Sequence, residues 1–155
     1  MKKFIVFCIF GLVLVGCGAG RSSIPLNKGA FTQKNEYSIT EFLNSEYAKK
    51  NIKNLDKVGL EFGSNEQNKT IIRADVKVQK YVTAYGTENI KEACAEALVA
   101  IIDRYVREAV KRNGDVVNIS SNWRGVVEPL NDDKYICMSS KSSVGIMIKA
   151  DIAQK

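Results

Sequence analysis

The sequence predicts an α+β domain: a single antiparallel sheet with one long helix, and a short N-terminal helix, packed on one face. Three observations predict it. Ile90, Cys94, Ala97, Leu98, Ile101 and Tyr105 form one apolar stripe at helical spacing. Ile72, Ala74, Val76 and Val78 alternate with Arg73, Asp75, Lys77 and Gln79, as in a strand with one wet face. Val144, Ile146, Ile148, Ala150 and Ile152 repeat that alternation near the C-terminus.

Taken in order, the elements read α-β-β-α-β-β-β over residues 38–155. Ser38-Ile39-Thr40-Glu41 is a capping box, and Ile39, Phe42, Leu43 and Tyr47 give the helix it opens one apolar face. Val58 to Phe62 is a short strand, Gly63 to Lys69 a polar turn, and Thr70 to Tyr81 the longer strand described above. The long helix occupies residues 88–112 and stops at Asn113-Gly114, with Gly114 suited to a left-handed conformation. Strands follow at Asp115 to Ser121, at Tyr135 to Met138, and from Val144 onward. A loop carrying Pro129 and a Ser139–Ser142 turn separate them.

The first 37 residues read differently. Lys2 and Lys3 precede the apolar run Phe4 to Val15, which is too short to span a bilayer comfortably. Leu14-Val15-Gly16-Cys17 then resembles the bacterial lipobox. That resemblance implies cleavage after residue 16 and diacylglyceryl transfer to the Cys17 thiol. The expected product is a lipoprotein anchored to a bacterial membrane, with the outer membrane favoured because Gly18 rather than Asp follows the cysteine. Its domain would face the periplasm or the cell exterior. Residues 17–37, rich in Gly, Ser, Asn and Lys, read as the lipidated cysteine and a flexible tether.

Composition narrows the chemistry. The 155 residues carry a net charge of +6 and no histidine. Ser-His-Asp and Cys-His catalysis and His-containing zinc sites are therefore excluded. Of four cysteines, Cys8 leaves with the leader and Cys17 takes the lipid. Cys94 and Cys137 remain. In an exported domain they are candidates for one disulfide, with two free buried thiols or a redox pair as alternatives. No C-x-x-C motif occurs, which disfavours thioredoxin-like chemistry.

Other motifs weigh less. Gly63 to Thr70 approaches a phosphate loop, but Asn68 replaces the second glycine and a strand follows where a helix is required. Arg104, Arg107 and Lys111 form a basic helix stripe that reads as a solvated face. Asn118, Ser120, Ser121, Asn122, Trp123 and Arg124 set hydrogen-bonding groups beside an aromatic ring. They make a candidate ligand or partner surface, with Trp123 equally suited to lying over the core.

From Ile39 onward the chain resembles a family of small exported bacterial proteins often labelled excinuclease ATPase subunit-like. The likeness rests on Ile39-Thr40-Glu41-Phe42-Leu43, Val58 to Gly63, Glu92-Ala93-Cys94, Gly114 to Ser121, Tyr135-Ile136-Cys137 and Val144-Gly145-Ile146. It implies a Cys94–Cys137 pair, since both positions match the family's cysteines. The label's activity does not carry over, because an excinuclease ATPase needs intact phosphate loops and cytosolic DNA. At the level of fold the chain is also similar to RcsF- and YbjQ-type envelope domains.

The function expected from the sequence is a non-enzymatic interaction or structural module on the bacterial envelope. Its partners are the bilayer, through acylated Cys17, and an envelope protein, with no nucleic acid, metal or cofactor. The alternative is a periplasmic domain binding a small ligand or glycan through the Asn118–Arg124 surface.

Overall fold

The computed structural model describes residues 31–63, 68–84, 89–123, 126–127 and 134–155. The leader, Cys17 and most of the expected tether lie outside them. In chain order the elements are β1 (Gln33–Ser38), α1 (Ile39–Asn44), α2 (Glu46–Asn51), a 3₁₀ turn (Leu55–Lys57), β2 (Leu60–Phe62), β3 (Ile71–Thr83), α3 (Ile90–Lys111), β4 (Gly114–Trp123), β5 (Val126–Val127), β6 (Lys134–Ser139) and β7 (Ser143–Gln154).

β7 is the spine of the sheet because it is the strand most fully covered on both edges. β3 pairs with it antiparallel from Thr83↔Ser143 to Ile71↔Ala153. Its other edge is shared: β6 takes Val144 and Gly145, and β4 takes Ile148 to Gln154. Val144, Ile146, Ile148, Ala150 and Ile152 are buried in the core, as their alternation predicts. α3 covers them with Cys94, Ala97, Leu98, Ile101, Ile102, Tyr105, Val106 and Ala109. The Tyr105 hydroxyl reaches through this core to the carbonyls of Val76 (2.7 Å) and Ile148 (2.9 Å), so its burial leaves no stranded polar group.

The class is α+β, with the long helix on one face, but the sheet is mixed rather than wholly antiparallel. β2 runs parallel to β4, at Leu60↔Val116 and Phe62↔Ile119. The long β3–α3 excursion between them returns β4 in the same direction. Gln33 to Tyr37, read from the sequence as tether, form β1 with Ser38. β1 pairs with β6 over six residues. Its burial is only partial, which is why no alternation marked it.

The first helix is two short ones. Ser38 caps α1 as expected, its Oγ accepting from the Glu41 amide at 3.1 Å. Ser45 then ends α1 and caps α2, accepting from the Ala48 amide at 3.2 Å. The break swings Tyr47 out to 45% exposure, off the face that Ile39 and Phe42 bury. At the end of α3 the left-handed residue is Asn113 (φ 48°), not Gly114. Gly114 is required for closeness instead: a Cβ there would sit 2.3 Å from the Ala153 carbonyl oxygen.

β3 departs from its alternation through a bulge. Between Arg73↔Ile152 and Val76↔Ala150 it carries one extra residue, with Asp75 at φ 57°. One residue of slip inverts the side chains just before it, and a second shift follows between Ile71 and Arg73. Val76 and Val78 face the core as expected, whereas Arg73 turns to pair with Glu108 on α3 (2.5 Å) and Ile72 and Ala74 are exposed. β4 bulges beside it at Asn118 (φ 53°). Asp151 on β7 lies between the two bulges. Its carboxylate accepts from the Asp75 amide and from Asn118 Nδ2, each at 2.7 Å.

Candidate functional site

β6 is the element that makes a site possible. Tyr135, Cys137 and Ser139 alternate onto its buried face. Cys137 is joined to Cys94 on α3, with Cα atoms 6.0 Å apart and 43 residues of separation. The pair the sequence offered as one of three alternatives is therefore the disulfide. It fastens a ribbon that is otherwise lightly held, since β6 meets β7 at only two register positions. The Ile136 amide also donates to Ser121 Oγ at 3.3 Å.

One step along the same face, Tyr135 lies beside a groove of about 710 Å³. The groove runs between α1, α2, the end of β1 and the first turns of α3. Tyr37, Phe42, Tyr47 and Tyr135 supply its aromatic walls, and Ala93 and Ala95 keep the α3 side open. Tyr37 and Tyr135 are cross-strand neighbours with ring centroids 5.6 Å apart, and Phe42 stands edge-on to Tyr135 at 6.1 Å. Such pairs contribute about 0.5–1.5 kcal/mol beyond their burial, so the wall is a fixed surface.

Polar groups also line the groove. Tyr135 is 4% exposed, yet its hydroxyl has no hydrogen-bond partner among the described residues. Burial pushes that phenol well above its ordinary range, and the neighbouring Tyr37 and Glu41 push it further. Burial also raises Tyr37, with the Lys91 ammonium opposing. Both phenols are thus neutral at pH 7, each able to donate and to accept. Glu41 on α1 meets Lys91 on α3 across the groove at 3.4 Å. Glu92 and Glu96, one turn apart on α3, also line it. Neither carboxylate has an ion-pair or hydrogen-bond partner among the described residues.

The residues singled out from the sequence lie elsewhere. Asn118 is spent on Asp151, and Ser120 Oγ donates to the Lys149 carbonyl at 3.2 Å, so both belong to the β4–β7 seam. Trp123 packs with Phe31 and Tyr81 over Gly145, at centroid distances of 5.3 and 6.4 Å. Its Nε1 is buried with no partner among the described residues. The Asn122 side chain and Arg124 lie outside the described residues. Lys69, the lysine of the phosphate-loop-like string, is held by Asp115 at 2.6 Å. Arg104, Arg107 and Lys111 are exposed, with Arg107 paired to Asp103 at 3.0 Å.

No group of three or more Cys, Asp or Glu side chains among the described residues is arranged to hold a metal ion. No described helix is long and apolar enough to cross a membrane. Neither a protein-family model, nor a curated protein, nor a solved structure matches the chain.

The groove escaped sequence reading because its walls come from four separate stretches: 37–47, 83–84, 89–96 and 135. One local signal was present. Glu92 and Glu96 are like charges at i,i+4, an arrangement that costs a helix about 0.2–0.5 kcal/mol and has no basic residue four positions away to relieve it.

Proposed function

We propose that this chain is a lipid-anchored binding module of the bacterial envelope, whose groove between α1, α2, α3 and β6 takes a ligand. The observation that carries the binding reading is Tyr135. It is 4% exposed and lines the groove, and its hydroxyl, unpaired among the described residues, is available to a guest as donor or acceptor. Here it borders a concave aromatic space of the size that small-molecule sites occupy. The Asn118–Trp123 region supports a ligand site less well, because Asn118 and Ser120 are already bonded within the sheet.

The anchor rests on Lys2, Lys3, the apolar run and Leu14-Val15-Gly16-Cys17. The Cys94–Cys137 disulfide supports it, since such bonds persist in oxidising compartments.

Two measurements test this function. Cells fed an alkyne fatty acid should label the full chain and not its Cys17→Ala variant. Equal labelling of both, or of neither, removes the anchor. Native mass spectrometry of the exported full chain, extracted in an uncharged sugar detergent, should show a small-molecule adduct. Ala95→Trp, which fills the groove at a half-buried position, should lose it. An adduct that survives Ala95→Trp places binding outside the groove.

A further inference from the structure

The charge around the groove is opposite to that of the chain. The whole sequence is +6, yet the described residues lining the groove include three carboxylates, Glu41, Glu92 and Glu96, and one ammonium, Lys91. Lys91 is engaged by Glu41. The first turn of α3 also borders the groove at Asn89, and a helix N-terminus adds about half a positive charge. The balance still leaves the groove negative by more than one unit.

An anion is therefore the wrong guest, despite the helix end. A neutral guest would gain no charge attraction from Glu92 and Glu96, which are exposed at the rim. The walls add a second preference, because the faces of Tyr37, Phe42 and Tyr135 attract cations and also accept apolar surface. The Tyr135 oxygen supplies a third, as an acceptor for an N–H donor held in the groove.

We infer that the groove binds a small primary amine in its protonated form, carried on an apolar stem. Its ammonium would lie between Tyr135 Oη and the Glu92 and Glu96 carboxylates, and its stem along Phe42, Ala93 and Ala95. A free amine is favoured over a lysine side chain of a protein because the concavity has small-molecule dimensions. This inference rests on the binding function proposed for the groove.

The test is a titration of the full chain in an uncharged detergent, followed by amide NMR shifts. Three probes share one stem and differ in charge: 2-phenylethylammonium, 2-phenylethanol and 3-phenylpropionate. The ammonium should bind at Ala93, Ala95 and Tyr135 about tenfold more tightly than the alcohol, which corresponds to 1.4 kcal/mol. It should weaken several-fold in 0.5 M salt, because partly exposed charges are screened. The Glu92→Gln/Glu96→Gln variant should lose about tenfold for the ammonium and nothing for the alcohol. That variant removes both a like-charge helix pair and a favourable first-turn carboxylate, small effects of opposite sign on two exposed residues, so the fold is retained. Tyr135→Phe should weaken the ammonium while leaving the fold intact.

Equal binding of alcohol and ammonium in the groove, or tighter binding of the carboxylate, overturns the amine inference and leaves the binding groove standing. No shift at the groove with any probe removes both. A short lysine-containing peptide that binds tenfold more tightly than the free amine overturns the assignment to a small molecule.

Discussion

Replacing Cys94 and Cys137 by alanine cuts the one covalent link between α3 and the β1–β6 ribbon. The disulfide closes a loop of 43 residues, for which the chain-entropy relation gives about 4 kcal/mol at 25 °C. Alanine suits the substitution because both sulfurs are fully buried, and serine would strand two hydroxyls. A domain of this size has about 5–15 kcal/mol in total, so the variant stays folded but loses a large share. The loss should also be uneven. β6 meets β7 at two register positions, whereas β3 follows β7 along almost its whole length. Urea unfolding followed by circular dichroism gives the global change. Amide hydrogen exchange gives its distribution, with protection of Lys134–Ser139 falling further than that of Val76–Val82. A global loss below about 1 kcal/mol, or equal loss of protection in both segments, refutes the claim that the disulfide is the principal clamp on the ribbon.

Three further perturbations address the sheet. Asp151→Ala removes the acceptor shared by both bulges and should cost about 2–3 kcal/mol in urea unfolding, with Asp151→Asn costing less. Gly145→Ala places a Cβ 2.8 Å from the Tyr81 ring and 3.1 Å from Trp123, so about 1–3 kcal/mol should be lost. The emission of Trp123, the chain's single tryptophan, should shift with it. Asp115 is partly desolvated, which alone would raise its pKa, but the Lys69 ammonium and the Gly59 amide hold it below the ordinary carboxylate value. A carboxyl depressed on folding stabilises at neutral pH, and that stability is lost as pH falls below about 4. Asp115→Asn should therefore cost about 2 kcal/mol at pH 7 and progressively less as pH falls below about 4, measured by urea unfolding across that range.

The core was legible because it is periodic. The α3 stripe and the β7 alternation each report burial residue by residue, and both elements lie where the pattern places them. What the pattern could not report was the effect of a single inserted residue. Asp75 carries no warning that it will adopt φ 57°, yet it reverses the faces of Ile72, Arg73 and Ala74. Ser45 is equally silent as the cap that splits the first helix. β1 escaped because its residues are mostly polar and its partner, β6, lies about a hundred residues away. The groove escaped for the same reason, since Tyr37 and Tyr135 become neighbours only through that pairing. The cysteines could be counted in the sequence, but only the approach of β6 to α3 selects the disulfide over two free thiols.

The groove as a binding site is the centre of this account, and residue-resolved NMR tests it most directly. The full chain in an uncharged detergent would be screened against a chemically mixed set of small aromatic and aliphatic compounds, positive, neutral and negative. Saturable shifts should gather at Tyr37, Phe42, Ala93, Ala95 and Tyr135. Ala95→Trp should abolish them while leaving the β3, β4 and β7 amides unchanged. Saturable binding that maps only around Asn118–Trp123, or that persists in Ala95→Trp, would contradict the account.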